Sequence, residues 1–257
     1  MSAMLLFVVT ASTQEKPLAA LFQQHYQLLE AHNGSSLERY QYNSDSKITR
    51  LEEIHPNAAG SKTNVLAMDF SYSTDGLLNQ ANLSVNEQAK ELLTFKYNSQ
   101  EKIEYLRIYS YKPKRLLYKY LFSYNERGQI RQRLNTITKE KEDYEYNEYG
   151  QLVKLFFTDL EGIMNYYITF EYDPKIRYFE QPGLPIFISL HEGSYRPHVH
   201  YAPKQTKMYL LGQDGVYELA TSNAYDNKAN KNGMLIGRVV ENGLIKQQYT
   251  QAYTYRE

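Results

Sequence analysis

The chain lacks cysteine and tryptophan, has only eight prolines in 257 residues, and carries no excess of either charge. Without cysteine, disulfide bonds, thiolate zinc sites and cysteine nucleophiles are excluded. The 29 basic and 29 acidic side chains balance, so the protein has no strong field to recruit nucleic acid or an anionic membrane surface. We therefore predict that it has no nucleic-acid partner.

Long hydrophobic runs are also missing. The first apolar stretch, residues 4–11, is too short to span a bilayer, and we predict no membrane span. It matches the core of a signal peptide, with Val9-Thr10-Ala11 as a small-residue cleavage site, although no Lys or Arg precedes it. We expect a signal peptide over residues 1–11 and a single domain over 12–257; the alternative for the start is a buried first strand.

Motifs for nucleophilic catalysis and for phosphate binding are absent from the sequence. The carboxylates Glu140, Glu142 and Asp143 alternate with lysines, and this pattern predicts a charged hairpin edge that discourages aggregation. Acid–base catalysis would instead need two carboxylates at a fixed separation across a cleft, which the sequence does not indicate. We predict a protein without enzymatic activity and without a cofactor.

The feature that is abundant is a recurring triplet of two aromatic residues around one polar residue. The second aromatics of the first six copies follow one another at intervals of 22 to 30 residues, a range typical of repeat architectures, and a seventh copy comes near the end. The seven copies are Tyr40-Gln41-Tyr42, Phe70-Ser71-Tyr72, Phe95-Lys96-Tyr97, Phe122-Ser123-Tyr124, Tyr144-Glu145-Tyr146, Phe170-Glu171-Tyr172 and Tyr253-Thr254-Tyr255.

Each of the first six triplets is followed by a turn signal. Asn125-Glu126-Arg127-Gly128 and Asn147-Glu148-Tyr149-Gly150 have Asn first and Gly fourth, which is typical of a type I turn between hairpin strands. Side chains alternate along a strand, so both aromatics of a copy share one face. The next strand then begins with an inward apolar residue such as Ile130 or Leu152. Each copy therefore predicts one β-hairpin, and we expect the aromatics to form the core.

Because a single hairpin is marginally stable in water, successive copies must pair. We predict an all-β fold, an antiparallel meander of repeated hairpins in one curved sheet. Residues 16–32 predict an N-terminal α-helix, since Pro17 suits a first turn and the leucines around Leu21 and Leu28 follow a helical stripe. For residues 84–93 we predict a turn at Asn86-Glu87 followed by a strand.

The segment from Tyr144 to Leu152 resembles the tyrosine–aspartate (YD) repeat of the Rhs family, and Phe122 to Ile130 resembles it again. Asn mostly replaces the family's Asp, and Gln129 and Gln151 replace its Arg. The likeness covers about residues 40 to 180. It is greatest to short, uncharacterised, exported YD-type proteins of Bacteroidota, which carry Tyr-Asp-x-Lys elements like Tyr172-Asp173-Pro174-Lys175 and Tyr225-Asp226-Asn227-Lys228.

This resemblance implies a non-enzymatic, exported binding or scaffold protein of the bacterial cell envelope. The location would be the periplasm, the outer-membrane surface or the outside of the cell, and the partner an unidentified envelope protein or glycan. The sheet face or an irregular segment would supply the contact.

The repeat stops after Tyr178. Residues 181–206 are rich in Pro, Gly and His and predict an irregular loop around one short strand, Ile186 to Leu190. Strands are expected again at 207–211, 216–220, 237–240 and 245–255, with a polar loop at 227–233 and a hairpin turn at Asn242-Gly243.

The irregular loop contains the one group of side chains suited to metal binding, His191, His198 and His200. Two histidines separated by one residue face the same way on a strand, and a third could complete a zinc site with an open position. Two alternatives to a scaffold therefore stay open. One is a metal-dependent hydrolase using these histidines, and the other is a polysaccharide-binding module with an exposed aromatic stripe.

Overall fold

A computed structural model describes residues 27–33, 36–56, 63–190 and 193–256. The predicted signal peptide and part of the predicted N-terminal helix lie outside these residues. The described part contains eighteen strands: β1 Gln27–Asn33, β2 Ser36–Tyr42, β3 Ile48–His55, β4 Asn64–Tyr72, β5 Leu78–Val85, β6 Gln88–Tyr97, β7 Ile103–Ser110, β8 Arg115–Tyr124, β9 Ile130–Asn135, β10 Lys141–Tyr146, β11 Leu152–Thr158, β12 Met164–Arg177, β13 Phe187–Ser189, β14 Ser194–Arg196, β15 Tyr201–Leu211, β16 Tyr217–Ala229, β17 Leu235–Asn242 and β18 Gln247–Arg256.

Sixteen of these strands form one closed antiparallel barrel, in which every strand except β1, β12, β15 and β18 pairs with both of its sequence neighbours. β12 pairs with β15, and β13 and β14 form a separate two-stranded sheet. The prediction of an antiparallel meander is confirmed, but the open curved sheet was wrong. β18 pairs with β1, from Gln27 opposite Arg256 to Ala31 opposite Tyr253, and this seam closes the barrel.

The predicted helix over residues 16–32 is wrong where the structure describes it, because Gln27–Asn33 is a strand. The register between β1 and β18 shifts at a β-bulge between Leu28 and Glu30. Leu28 and Ala31 are consequently both buried, three residues apart. This spacing imitates the period of a helix, which explains the misreading. Within the described residues, no helix is long and apolar enough to cross a membrane.

The hairpin turns predicted after the first five triplets are confirmed, and they all lie at one end of the barrel, here called the turn rim. The turn predicted after the sixth triplet is wrong, because β12 continues through residues 173–177. The amide of Asn125 donates to the carbonyl of Gln129, and Gly128 donates back to Asn125. Gly128 has a φ of +78°, and a bulge follows in the register of β8 and β9. This is a type I turn closed by a residue in the left-handed region.

The same turn also occurs where the aromatic triplet is missing. Asp159–Ile163 and Gly212–Val216 form it at the opposite end, here called the loop rim, and Asn230–Met234 forms it at the turn rim. The polar loop predicted over 227–233 is therefore wrong at its start. Residues 227–229 still belong to β16, and only Asn230 begins the turn.

The second aromatics of the seven triplets form a regular set of contacts, here called the tyrosine ladder. Each phenol donates a hydrogen bond to a backbone carbonyl near the start of the preceding strand. The pairs are Tyr42–Leu28, Tyr72–Ile48, Tyr97–Leu78, Tyr124–Ile103, Tyr146–Ile130, Tyr172–Leu152 and Tyr255–Leu235, with oxygen–oxygen distances of 2.6 to 2.9 Å. The repeat thus gives each phenol a partner while its ring packs against the core.

The core lies inside the barrel. The first aromatics Tyr40, Phe70, Phe95 and Tyr144 are buried together with inward leucines and isoleucines of the strands that follow. The expectation that the aromatics form the core is confirmed. The intervening residues of the triplets, such as Gln41 and Ser71, point to the outside and are exposed.

The described residues 178–190 and 193–200, here called the plug, come between β12 and β15 along the chain and pass through the lumen of the barrel. The predicted irregular loop over 181–206 is thus an internal element, which holds the β13–β14 hairpin, and β15 begins at Tyr201. Ile186 and Ile188 are at most 1% exposed and belong to the same apolar cluster as the walls. The plug segment is apolar enough to replace the water that an empty barrel of this size would hold.

Candidate functional site

The plug is held by three different parts of the wall. The amide of Ile48 on β3 donates to the carbonyl of Pro182 at 3.1 Å. Arg133 on β9 donates from Nη1 to the carbonyl of Tyr195 at 2.8 Å. On the β18 side, the ring of Phe179 lies 5.7 Å from that of Tyr253. Because these strands lie on different sides of the barrel, the plug crosses the lumen and is fixed at both flanks.

A cavity of about 120 Å³ remains between the plug and the wall formed by β1, β2, β3, β17 and β18. The plug contributes Phe187 to Leu190, and the wall contributes Glu38, Glu53 and Arg238 among others. We refer to it as the lumen cavity. It combines an aromatic lining with side chains of both charges, which is the usual composition of a small-molecule site.

Arg238 is the most unusual side chain of this cavity. It is 8% exposed and lies between two aromatic rings, with its guanidinium carbon 4.6 Å from the ring centre of Tyr225 and 5.4 Å from that of Tyr178. Its Nε donates to the side-chain oxygen of Gln251. Its Nη1 is buried and has no hydrogen-bond partner among the described residues. A buried donor without a partner is costly, so this atom is suited to an acceptor supplied by a ligand.

Two carboxylates face the same space. Glu38 accepts a hydrogen bond from the phenol of Tyr40 at 2.5 Å, and Glu53, 1% exposed, lies 2.9 Å from Nε2 of His55. Burial, followed by the charge of Glu38, raises the pKa of Tyr40 well above its ordinary value. The phenol therefore stays protonated and keeps donating to Glu38.

A second buried ion pair lies under the other flank of the plug. Arg133 Nη2 lies 2.7 Å from Glu142 Oε1, and the phenol of Tyr144 donates to the other oxygen of Glu142. Glu142 is 5% exposed, so its predicted place on a charged outer edge is wrong. Of the three predicted edge carboxylates, Asp143 does lie outside, 3.3 Å from Lys141. The alternation along β10 places Glu142 in the lumen beside Tyr144.

The predicted metal ligands lie where the plug returns to the turn rim. His198 is half-buried, and its Nε2 is 3.0 Å from the carbonyl oxygen of Leu184. His200 is exposed, and its Nδ1 is 3.1 Å from Glu180 Oε1. His191 lies outside the described residues. The two described histidines thus have separate partners rather than a common open position.

The electrostatics of these two histidines differ accordingly. Burial lowers the pKa of His198 below its ordinary 6.5, so the ring is neutral at pH 7. The hydrogen bond from His200 lowers the pKa of Glu180. Both histidines border an open groove of about 350 Å³ between the plug and the turns that carry Lys102 and Gln129. In the described part of the chain no three His, Asp, Glu or Cys side chains are grouped to hold a metal ion; the three-histidine site remains a prediction.

Sequence reasoning missed Arg238 and found the plug only as a loop. Arg238 lies in the predicted strand 237–240 and alternates with Val240, which is fully buried. An arginine in phase with a buried valine is a signal for an inward charge. The sequence did not reveal it because β15, β16 and β17 lack the aromatic triplets that mark the inward face.

Comparisons with known proteins find similarity in structure alone. No protein-family model matches the chain, and no curated protein sequence matches it. A porin-like protein from Bacteroides uniformis superposes with a TM-score of 0.56 at 14% identity, over 90% of this chain and 95% of that one. This comparison shows a common barrel fold.

Two further structures are similar at lower scores. A porin-like protein from Bacteroides vulgatus has a TM-score of 0.43 at 11% identity, over 89% of this chain and 98% of that one. The toxin complex TcdB2-TccC3-Cdc42 has a TM-score of 0.30 at 12% identity, over 84% of this chain and 8% of that one. At 14% identity the first comparison shows the fold alone, so the relationship to Bacteroidota, the envelope location and the likeness to the YD repeat family stay predictions.

Proposed function

We propose that this chain is a non-enzymatic binding or scaffold protein of the bacterial cell envelope. It acts as a plugged barrel, not as a conducting pore. The observation that carries the proposal is the plug, which crosses the lumen and is bonded to β3 and β9 through Pro182 and Tyr195. Because the plug fills the lumen and packs into the core, only the outer surfaces and the lumen cavity are left for binding.

The outer wall supports the same proposal. Arg50 lies 2.8 Å from Glu52 and 2.6 Å from Asp69, and these side chains face away from the buried Leu51 and Met68. They lie in the middle of β3 and β4, at the level where the outer wall of a membrane-spanning barrel faces the bilayer midplane and is apolar. Charges at the bilayer midplane are strongly destabilising. We infer that water faces this wall and that the protein is attached to the envelope, if at all, by other means.

The lumen cavity is the binding site that the geometry favours. A dry cavity of about 150 Å³ holds one benzene molecule, so about 120 Å³ limits the ligand to a few non-hydrogen atoms or to the end group of a longer chain. The free Nη1 of Arg238 suits an anionic end group such as a carboxylate. Glu38 and Glu53 would then favour a cationic group next to it, as in a small amino acid.

The first test concerns location and conduction. The full chain is expressed with its own N-terminus in a Bacteroides host, the cells are fractionated, and the purified protein is added to planar bilayers. We expect the protein in the envelope or medium, released without detergent, and no ion conductance. Stable open-channel currents would refute the plugged lumen, and a protein that can be extracted only with detergent would refute the water-facing wall.

The second test concerns the cavity. Thermal unfolding of the purified protein is measured with acetate, glycine, alanine and methylammonium, each at millimolar concentration. A rise in melting temperature for the amino acids that is lost in Arg238→Met supports the site, because a ligand that binds the native state stabilises it. Arg107→Met on the outer wall is the matched control. An equal response in both variants would show that the cavity is not the binding site.

A further inference from the structure

Exposed apolar side chains are concentrated at the loop rim. Of the fourteen large hydrophobic side chains that are markedly exposed in the described residues, twelve lie at this end of the barrel. Ten of them form what we call the apolar arc: Tyr111, Leu116, Ile137, Leu160, Ile163, Leu210, Val216, Leu219, Leu244 and Ile245. At the turn rim the corresponding residues are only Tyr149 and Ile236.

The apolar arc is continuous. Its residues lie in the connections β7–β8, β9–β10, β11–β12, β15–β16 and β17–β18 or at the strand ends beside them. These are five successive connections along the loop rim, because the strands are neighbours in the barrel. Leu160, Val216 and Ile245, on three different connections, are 59% to 63% exposed. On one side the arc ends at the polar turn Asn86-Glu87 between β5 and β6. Apolar patches of this extent on a water-facing protein usually mark an interaction surface.

Charged side chains divide the apolar arc into two halves. The half formed by β7–β8 and β9–β10 presents the exposed Lys112, Lys114, Arg115 and Lys139. The half formed by β11–β12 and β15–β16 presents the exposed Glu161, Asp214 and Glu218. The last connection, β17–β18, adds one charge of each sign, Glu241 and Lys246.

This division indicates which partner fits. An anionic lipid surface would be attracted by the basic half and repelled by the acidic half. A second copy related by a two-fold axis places the basic half of each chain against the acidic half of the other, while the apolar side chains meet between them. We propose that the protein forms a two-fold symmetric homodimer through the apolar arc.

The charge halves permit a sharp test of this dimer with the full-length chain. One variant reverses the basic half (Lys112→Glu, Lys114→Glu, Arg115→Glu) and another reverses the acidic half (Glu161→Lys, Asp214→Lys, Glu218→Lys). We expect the wild type to sediment as a dimer at micromolar concentration and each variant alone as a monomer, because like charges then face each other. An equimolar mixture of the two variants should again sediment as a dimer.

The apolar contribution is tested separately. Leu160→Ser with Val216→Ser should raise the dimer dissociation constant at least tenfold, whereas Ile236→Ser at the turn rim should leave it unchanged. Circular dichroism and melting temperature verify that each variant is folded. These side chains are exposed in the monomer, so the variants are expected to keep its stability within a few degrees.

Three results would overturn the proposal. They are a monomeric wild type at 100 μM, a mixture of the charge variants that stays monomeric, and flotation of the wild type with phosphatidylglycerol vesicles that is lost in Leu160→Ser with Val216→Ser. The last result would assign the apolar arc to a lipid surface. If the dimer is not found, the proposed function is unaffected, because neither the plug nor the lumen cavity contributes to the apolar arc.

Discussion

Arg133 on the barrel wall donates a hydrogen bond of 2.8 Å to the backbone carbonyl of Tyr195 in the plug, 62 residues further along the chain. The same guanidinium pairs with Glu142 at 2.7 Å and lies 4.7 Å from the ring centre of Tyr120. One side chain thus connects β9, β10, the neighbouring strand β8 and the plug. Its position makes the plug part of the folded core rather than a separately moving gate.

The first prediction follows from that contact. Arg133→Met should lower the free energy of unfolding by about 3–5 kcal/mol, because it leaves Glu142 buried without its counter-charge. Urea denaturation followed by circular dichroism measures the effect. Arg131→Met, two residues away on the exposed outer face of β9, is the control and should change it by less than about 0.5 kcal/mol. The double variant Arg133→Met with Glu142→Gln should regain part of the loss; a double variant no more stable than Arg133→Met would argue against the charge as the cause.

The second prediction concerns the tyrosine ladder. Tyr124→Phe removes the 2.9 Å hydrogen bond to the carbonyl of Ile103 but keeps the ring in place. We expect a loss of about 0.5–1.5 kcal/mol in unfolding free energy. Tyr149→Phe, at a tyrosine that is 79% exposed, should be neutral. Equal effects in the two variants would show that the ladder bonds contribute nothing to stability.

The third prediction is a loss of stability in alkali. Burial raises the pKa of Tyr124 to about 12 and raises the pKa of Tyr72, Tyr97 and Tyr146 further above their ordinary value of 10.0. Above pH 10 the unfolded chain therefore binds fewer protons than the folded one, and stability falls with rising pH. The contribution of these tyrosines to the free energy of unfolding should be constant below pH 10. It should decrease as the pH rises from 10 towards their pKa values in the folded protein.

Absorbance at 295 nm, which reports tyrosine ionisation, and circular dichroism test this prediction together. We expect a large part of the ionisation to coincide with unfolding, in one cooperative step above pH 10. A protein whose ladder tyrosines ionise smoothly with unchanged circular dichroism would contradict the burial of these phenols.

The fourth prediction compares two equivalent turns. Gly128 and Glu101 occupy the same turn position with φ values of +78° and +58°. An L side chain in this region costs about 1–2 kcal/mol, and an added Cβ at Gly128 would also meet Lys102 Nζ at 3.0 Å. Gly128→Ala should therefore destabilise by about 1–2 kcal/mol. Glu101→Gly should stabilise the folded protein slightly. The substitution relieves the backbone strain of Glu101, and this gain exceeds the roughly 0.4–1 kcal/mol by which glycine favours the unfolded chain through its greater conformational entropy. The same sign for both changes, in thermal unfolding, would refute this account.

The sequence predicted those parts of the fold that depend on neighbouring residues. The spacing of two in Phe122-Ser123-Tyr124 identified both the strand and its inward face, and the Asn-x-x-Gly pattern identified the turn. The turn at Asn86-Glu87 was also correct, and both residues have positive φ. These signals are local because alternation and turn conformation are set by a few consecutive residues.

Features that depend on distant contacts were not predictable in this way. Closure requires β1 to recognise β18, and the bond between Gln27 and the guanidinium of Arg256 spans 229 residues. The plug was read mostly as a loop because Pro185 stands between its buried residues Leu184 and Ile186, and no aromatic triplet marks an inward face there. The site depends on both, so Arg238 and Glu53 could be assigned to a common cavity by the structure alone.

The seam between β1 and β18 has a consequence for how the chain matures. Hairpins such as β4–β5 and β10–β11 join residues close in sequence and can assemble while the rest of the chain is still unstructured, but the seam must wait until residues 247–256 have been made. Contacts between such remote segments form slowly, because a long loop must close first. Until that moment the two seam strands are open edges that can pair with another chain, so the interval between synthesis and closure is when this protein most needs a chaperone.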